Sequence, residues 1–315
     1  MSHVPLPFCI IVLVISIFGL AGNIRFFGGN FKEKSVHKQL LVLMTALHIV
    51  LCIVQLSDIV REFLGVSLTR SSCLRFVGAY YASFSFAQSI LYSLLGLEVL
   101  VLISDANLYR KLRVWWFHAV VYSTFIFSGW CIYISWISEE DRPVLLCIPP
   151  TALTKDINVI RSSWVMLNSC FVVALYVLIL AILMFKRSNQ RSSYTDKIIK
   201  STGILTIVFT CSWFMTGFLV SFSAPISQTL NIPISYVVMT ASLPAIVTYS
   251  QTHYVYFFVS AENRKAFRRL GPKALFLRKT NLAVNPITNV AKSASSIASV
   301  ANLPQTKKGN AQSAL

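Results

Sequence analysis

The chain alternates between long apolar runs and short polar breaks. Runs of about 20 or more almost uncharged residues recur seven times, at roughly 6–27, 38–60, 74–103, 114–136, 162–185, 201–223 and 234–259. A helix rises about 1.5 Å per residue, so each run can cross a hydrocarbon core of about 30 Å. The pattern predicts an all-α membrane protein built as a bundle of seven transmembrane helices. Its helical domain spans residues 1–271. Residues 272–315 turn polar and Ser/Lys-rich and read as a disordered tail. The first run has no Lys or Arg before Arg25 and is longer than a signal-peptide core, so it reads as a retained span.

Composition agrees with the pattern. Of the 315 residues, 55% are hydrophobic and only 12% charged, against about 25% charged in ordinary soluble domains. The net charge of +17 would suit a nucleic-acid partner, but its distribution argues against one. Of the 28 Lys and Arg, 22 fall on one side of the bundle, and six on the other: Arg61, Arg70, Arg75, Arg142, Lys155 and Arg161. The positive-inside rule then places the N-terminus outside and the tail in the cytoplasm. Topology and attraction to anionic membrane lipid account for most of the basic residues.

Five of the seven cysteines sit inside apolar runs and read as buried, inert side chains. Cys73, at the start of the third run, and Cys147, in the long loop 137–156, fall on the outer, oxidising side. A disulfide between them would tie the second outer loop to the top of helix three. The histidines show no metal-type spacing, no phosphate-binding loop occurs, and no catalytic constellation is found. The chain is not expected to be an enzyme or to carry a cofactor or metal.

Several stretches resemble the nematode serpentine chemoreceptors, particularly class SX, within the rhodopsin-like G-protein-coupled receptors. GLAGN (19–23) resembles the Gly-Asn signature of receptor helix one. Residues 76–111 follow the class's third-helix pattern of an acid, an apolar stretch and a Tyr-Arg pair, here Glu98, Tyr109 and Arg110. CIPPTAL (147–153) resembles its second outer loop, FTCSW (209–213) its Phe-x-Cys-x-Trp element, and YVYFFVSAENRKAFRRL (254–270) the end of helix seven with the short amphipathic eighth helix after it, at about 260–270. Other landmarks are missing. His48 and Ile49 stand where an acid is usual in helix two, Val99 replaces the Arg after the helix-three acid, and Met215 replaces the Pro after the sixth-span Trp. The Asn-Pro-x-x-Tyr of helix seven keeps only Tyr256.

The resemblance implies a chemosensory receptor in the plasma membrane, with sensory cilia as an expected location. It would bind an extracellular small-molecule or peptide cue and signal to a heterotrimeric G protein. On helix three Tyr80, Tyr81, Phe84 and Gln88 recur at helical spacing below Cys73. The family's pocket position adds Trp213 as a floor, with Tyr236 and Met239 as walls. No acid stands on the outer half of helix three, which favours a hydrophobic or weakly polar cue, or a peptide, over an amine. Glu98, Tyr109, Arg110, Lys111, Arg113, Lys197, Lys200, Tyr256, Arg264 and Lys265 form the expected G-protein and activation face. Glu98 is expected to be partly solvated, and to hold a resting state by pairing with Arg110 or a base of the third inner loop. His48 and His253 are read as sharing a polar cluster with Asn23. The tail serines are candidate phosphorylation sites for arrestin, and Gln312–Leu315 has the form read by PDZ domains. A channel or transporter, and a non-signalling decoy or scaffold, are the competing classes.

Overall fold

The computed structural model describes residues 4–31, 35–66, 68–111, 114–137, 143–144, 147–185, 193–259 and Arg264. Seven spans are present. Helix one (Leu6–Asn30) carries a proline in its first turn, where the missing N–H has no intrahelical partner to lose. Helix two (Val36–Phe63) is capped by Ser35, whose Oγ accepts from Lys38 N–H at 3.3 Å. Helix three runs from Arg70 to Ser104, with a π turn at Leu74–Gly78. Helix four is Val114–Ile137, helix five Lys155–Phe185 and helix six Ser193–Ser221. Six of these helices are long and apolar enough to cross a membrane. The seventh span is two pieces, Ile234–Val247 and Gln251–Val259.

Large apolar side chains face outward along the bundle, among them Ile17 and Phe18 on helix one, Tyr122 and Ile126 on helix four, and Leu167 and Val177 on helix five. A water-facing surface could not carry so much contiguous apolar area; a lipid-facing one must. Helix three is the axis. In its most apolar window 72% of residues are buried, against 28% in helix four, and it packs on helices two, four, five and six.

Helix five starts earlier than its apolar run suggests. Thr154 caps it, accepting from Ile157 N–H at 3.4 Å, and Asp156 occupies the first turn. Arg161, assigned from the sequence to an outer loop, therefore lies inside the helix and is buried. Helix seven departs further. Pro244 interrupts it, and the Ala245 N–H turns outward to Thr216 Oγ1 of helix six at 3.1 Å. At Thr248, Tyr249 and Ser250 the chain tightens into i→i−3 bonds before a new helix begins. Asn23 Nδ2 donates to the Tyr249 carbonyl at this break at 2.7 Å. Gly19 and Gly22 let helix one approach closely enough to do so: a Cβ on either would lie 2.9 Å from Ser250 or His253.

One end of the bundle is closed by covalent and polar ties. Cys73 and Cys147 form a disulfide, with Cα atoms 5.4 Å apart. Leu68–Thr69 pairs antiparallel with Pro143–Val144, and a short helix, Pro149–Ala152, follows. Arg70, fully buried, donates through Nη1 to the carbonyls of Ser135 (2.9 Å) and Ala152 (3.2 Å). Asp58 pairs with Arg61 at 2.9 Å near the same end. The expected amphipathic helix, apart from Arg264, and the tail with its serines and C-terminal motif lie outside the described residues.

Because both thiols belong to one bond, Cys73→Ser, Cys147→Ser and the double variant should each lose the same stability, about 2–4 kcal/mol. Thermal unfolding of the purified protein in detergent measures this; a double variant markedly worse than either single one would show that the cysteines act separately.

Candidate functional site

A cavity of about 390 Å3 lies at the disulfide end. Helices three, five, six and seven line it, and Ile148 and Pro149 of the disulfide-tethered loop reach its wall. The lining is mostly apolar, with a few polar groups, the composition of small-molecule sites generally. Tyr81 and Ser85 face it from helix three, Arg161 and Val165 from helix five, Trp213 and Phe214 from helix six, and Tyr249 from the helix-seven break.

Of the residues expected to bind a cue, Tyr81 and Trp213 line this cavity. Tyr80 is 45% exposed and packs beside Phe84, which meets Phe125 of helix four edge-on at 5.9 Å. Both therefore look away from the cavity. Gln88 is buried deeper: its Nε2 donates to Thr248 Oγ1 at 3.1 Å and lies 3.2 Å from His48 Nε2. Met239 and Tyr236 pack in the apolar cluster around Tyr81 and Phe86, while Val238 between them lines the cavity. The sequence signal on helix three was helical periodicity, which separates faces without saying which neighbour each face meets.

Below Trp213 an aromatic column descends through the bundle. Phe209, one turn along helix six, lies 6.3 Å from Trp213 and stacks on Tyr92 of helix three at 4.0 Å. Gln251 Nε2, at the restart of helix seven, donates to the Tyr92 hydroxyl. His48 sits on the same level, its Nδ1 3.3 Å from Thr252 Oγ1. Asn23 bonds the Tyr249 carbonyl, and His253 lies against Gly22 of helix one.

The opposite end holds a second polar centre. Glu98 has 0% exposure, which corrects the expectation of partial solvation. Tyr109 Oη, on the short helix Ala106–Lys111, donates to Glu98 Oε1 at 2.7 Å. His37, in the first turn of helix two, lies with Nδ1 2.8 Å from Glu98 Oε2. Either the imidazole N–H donates to the carboxylate or a carboxyl O–H donates to the imidazole, so the contact is a hydrogen bond in both cases. His37 Nε2 is then 3.0 Å from the Tyr256 hydroxyl of helix seven and 3.5 Å from Thr202 Oγ1 of helix six. One imidazole thus joins helices two, three, six and seven. The sequence reading missed His37 because the second apolar run begins one residue later; Ser35, a helix cap two residues before it, was the available signal.

Around this centre, Lys111 and Lys200 are exposed, and Arg264 donates to the carbonyls of Phe257 (3.3 Å) and Phe258 (2.6 Å), closing the end of helix seven. Arg113 and Lys265, and the side chains of Arg110 and Lys197, lie outside the described residues. Among the described residues, the partners of Glu98 are therefore an imidazole and a phenol rather than the expected Arg or Lys.

The family model for serpentine-type seven-transmembrane G-protein-coupled chemoreceptors, Srsx, matches residues 16–271. The chain belongs to this family. No curated protein sequence matches it. As an Srsx receptor it is a multi-pass membrane protein of a chemosensory class, and the family is one of receptors rather than enzymes. The match covers every described helix that touches the cavity and the Glu98 centre.

The Glu98 centre should behave as one energetic unit. In a double-mutant cycle, His37→Ala and Glu98→Gln are expected to show a coupling of about 1–3 kcal/mol in unfolding experiments, because each leaves the other's buried polar group short of a partner. Additive losses would mean that the two side chains are held independently.

Proposed function

We propose that this receptor binds an extracellular cue in the cavity beneath the second outer loop and signals to a heterotrimeric G protein at the opposite end. The observation that carries the reading is the continuity between the two. Trp213 at the cavity is followed inward by Phe209, Tyr92 and Gln251, and the lower piece of helix seven then presents Tyr256 to the His37–Glu98 pair. The charge asymmetry supports an N-terminus outside and the Glu98 end in the cytoplasm, at the plasma membrane.

In this reading the closed bundle is the resting state. His37 holds helices two, three, six and seven together through the Glu98 carboxylate and the Tyr256 hydroxyl. A cue that packs better against a displaced Trp213 or Tyr249 favours a second arrangement, in which helix six moves and the His37 contacts part. The cleft so opened would receive a G-protein segment, with Lys111, Lys200 and Arg264 at its rim and Arg110, Arg113, Lys197 and Lys265 as further basic contacts. Release of the Glu98 centre takes the place of the arginine switch that Val99 removes. A tail phosphorylated on Ser293, Ser295, Ser296 and Ser299 would recruit arrestin.

Glu98→Gln should raise basal nucleotide exchange on Gα in membranes, severalfold at matched surface level, and Tyr256→Phe should do so more weakly. A basal rate unchanged in both variants, across several Gα types, would exclude the resting-state role of this centre. Cue-evoked current in cells lacking G proteins would instead favour a channel.

A further inference from the structure

The cavity has an unbalanced chemistry. Its lining contains one charged group, the Arg161 guanidinium, and no carboxylate. Arg161 is only 7% exposed. Its Nε and Nη2 both donate to Asn158 Oδ1, at 3.2 and 3.0 Å, one turn back on helix five. That amide orients the guanidinium without neutralising it. Among the described residues no Asp or Glu lies within ion-pair distance of Arg161. The other buried or half-buried arginines of this end have different partners: Arg61 pairs with Asp58 and Glu62, and Arg70 Nη1 donates to two carbonyls of the loop it clamps.

Trp213, which also lines the cavity, keeps its indole N–H buried, with no hydrogen-bond partner among the described residues. Two of the other cavity hydroxyls are already committed, Ser85 to the Ala82 carbonyl and Ser242 to the Met239 carbonyl. The cavity therefore offers a fixed positive charge within apolar walls. An unpaired buried guanidinium is among the more costly groups a fold can hold, and removing its desolvation penalty needs an anion with matching geometry. A planar, bidentate fork suits a carboxylate.

We propose that the cue is a small organic acid, with an apolar body and one carboxylate that pairs with Arg161. This rests on the reading of the cavity as the cue site. The body lies among Val165, Phe214, Phe218 and Ile246. Arg161 is then a specificity-determining residue: it selects acids over esters, alcohols and amines of the same shape, and an amine would meet a like charge.

The test uses the full-length receptor in lipid nanodiscs, with 4-phenylbutanoate and octanoate as probes and their methyl esters as matched neutral controls. In thermal unfolding and direct titration, both acids should bind wild type at least tenfold more tightly than their esters. Arg161→Met should abolish that preference, and Arg161→Lys should keep part of it. Without ligand, Arg161→Met should be as stable as wild type or more stable, since it removes an unpaired buried charge. A clear loss of ligand-free stability in Arg161→Met would show that the guanidinium has a structural partner and would overturn the proposal. So would equal binding of acids and esters by wild type, or no binding of either acid up to 10 mM, about the weakest affinity a cue site would show. If the acids bind through Arg161 but evoke no nucleotide exchange, the ligand class stands and the signalling reading fails. If a neutral compound drives exchange regardless of Arg161, the signalling reading stands and the acid class fails.

Discussion

A carboxylate with no exposed surface, inside a bundle whose outer surface is apolar, has to be supplied with donors by the protein itself. Glu98 meets this requirement by drawing in Tyr109 from the short helix after helix three and His37 from helix two. His37 then needs something for its second nitrogen, and Tyr256 and Thr202 come to it from helices seven and six. The packing of four helices at this end follows from satisfying one acid. At the centre, in place of an acid, Gln88 Nε2 joins His48 and Thr248, and His48 in turn meets Thr252.

The two ends are organised on opposite principles. At the disulfide end the loop is fixed by a covalent bond, a strand pair and the Arg70 clamp, so the cavity wall made by Ile148 and Pro149 is held in place. At the Glu98 end the ties are hydrogen bonds between different helices, and each can be exchanged for another. Under the proposed function, the rigid end would read the shape of the cue and the exchangeable contacts would allow motion, a workable division for a two-state bundle.

Much of this was legible in the amino acids. Seven apolar runs, the Cys73–Cys147 pairing and the family motifs gave the bundle and its lid, because membrane spans need continuous apolar length and disulfides need an oxidising side. The element boundaries were less legible. Arg161 was placed in a loop because apolarity was used to start helix five, although Thr154-Lys155-Asp156 carries a capping signal seven residues earlier than Arg161. Tyr80 and Phe84 share a helical period with Tyr81 but meet helix four, and only tertiary packing decides which of two adjacent faces borders a cavity. His37 was hidden for a different reason: its partners lie 61 and 219 residues away, a separation no local pattern encodes.

The break in helix seven has one more consequence. Tyr249 lines the cavity, while Gln251, two residues on, holds the Tyr92 hydroxyl, and the intervening turn is braced from helix one by Asn23. The upper arm, Ile234–Val247, and the lower arm, Gln251–Val259, are thus separate levers sharing a fulcrum supplied by another helix. Pro244 and this braced turn give the span its joint without the missing Asn-Pro pair. Under the proposed function, leverage would survive the erosion of the sequence motif because a neighbouring helix still supports the pivot.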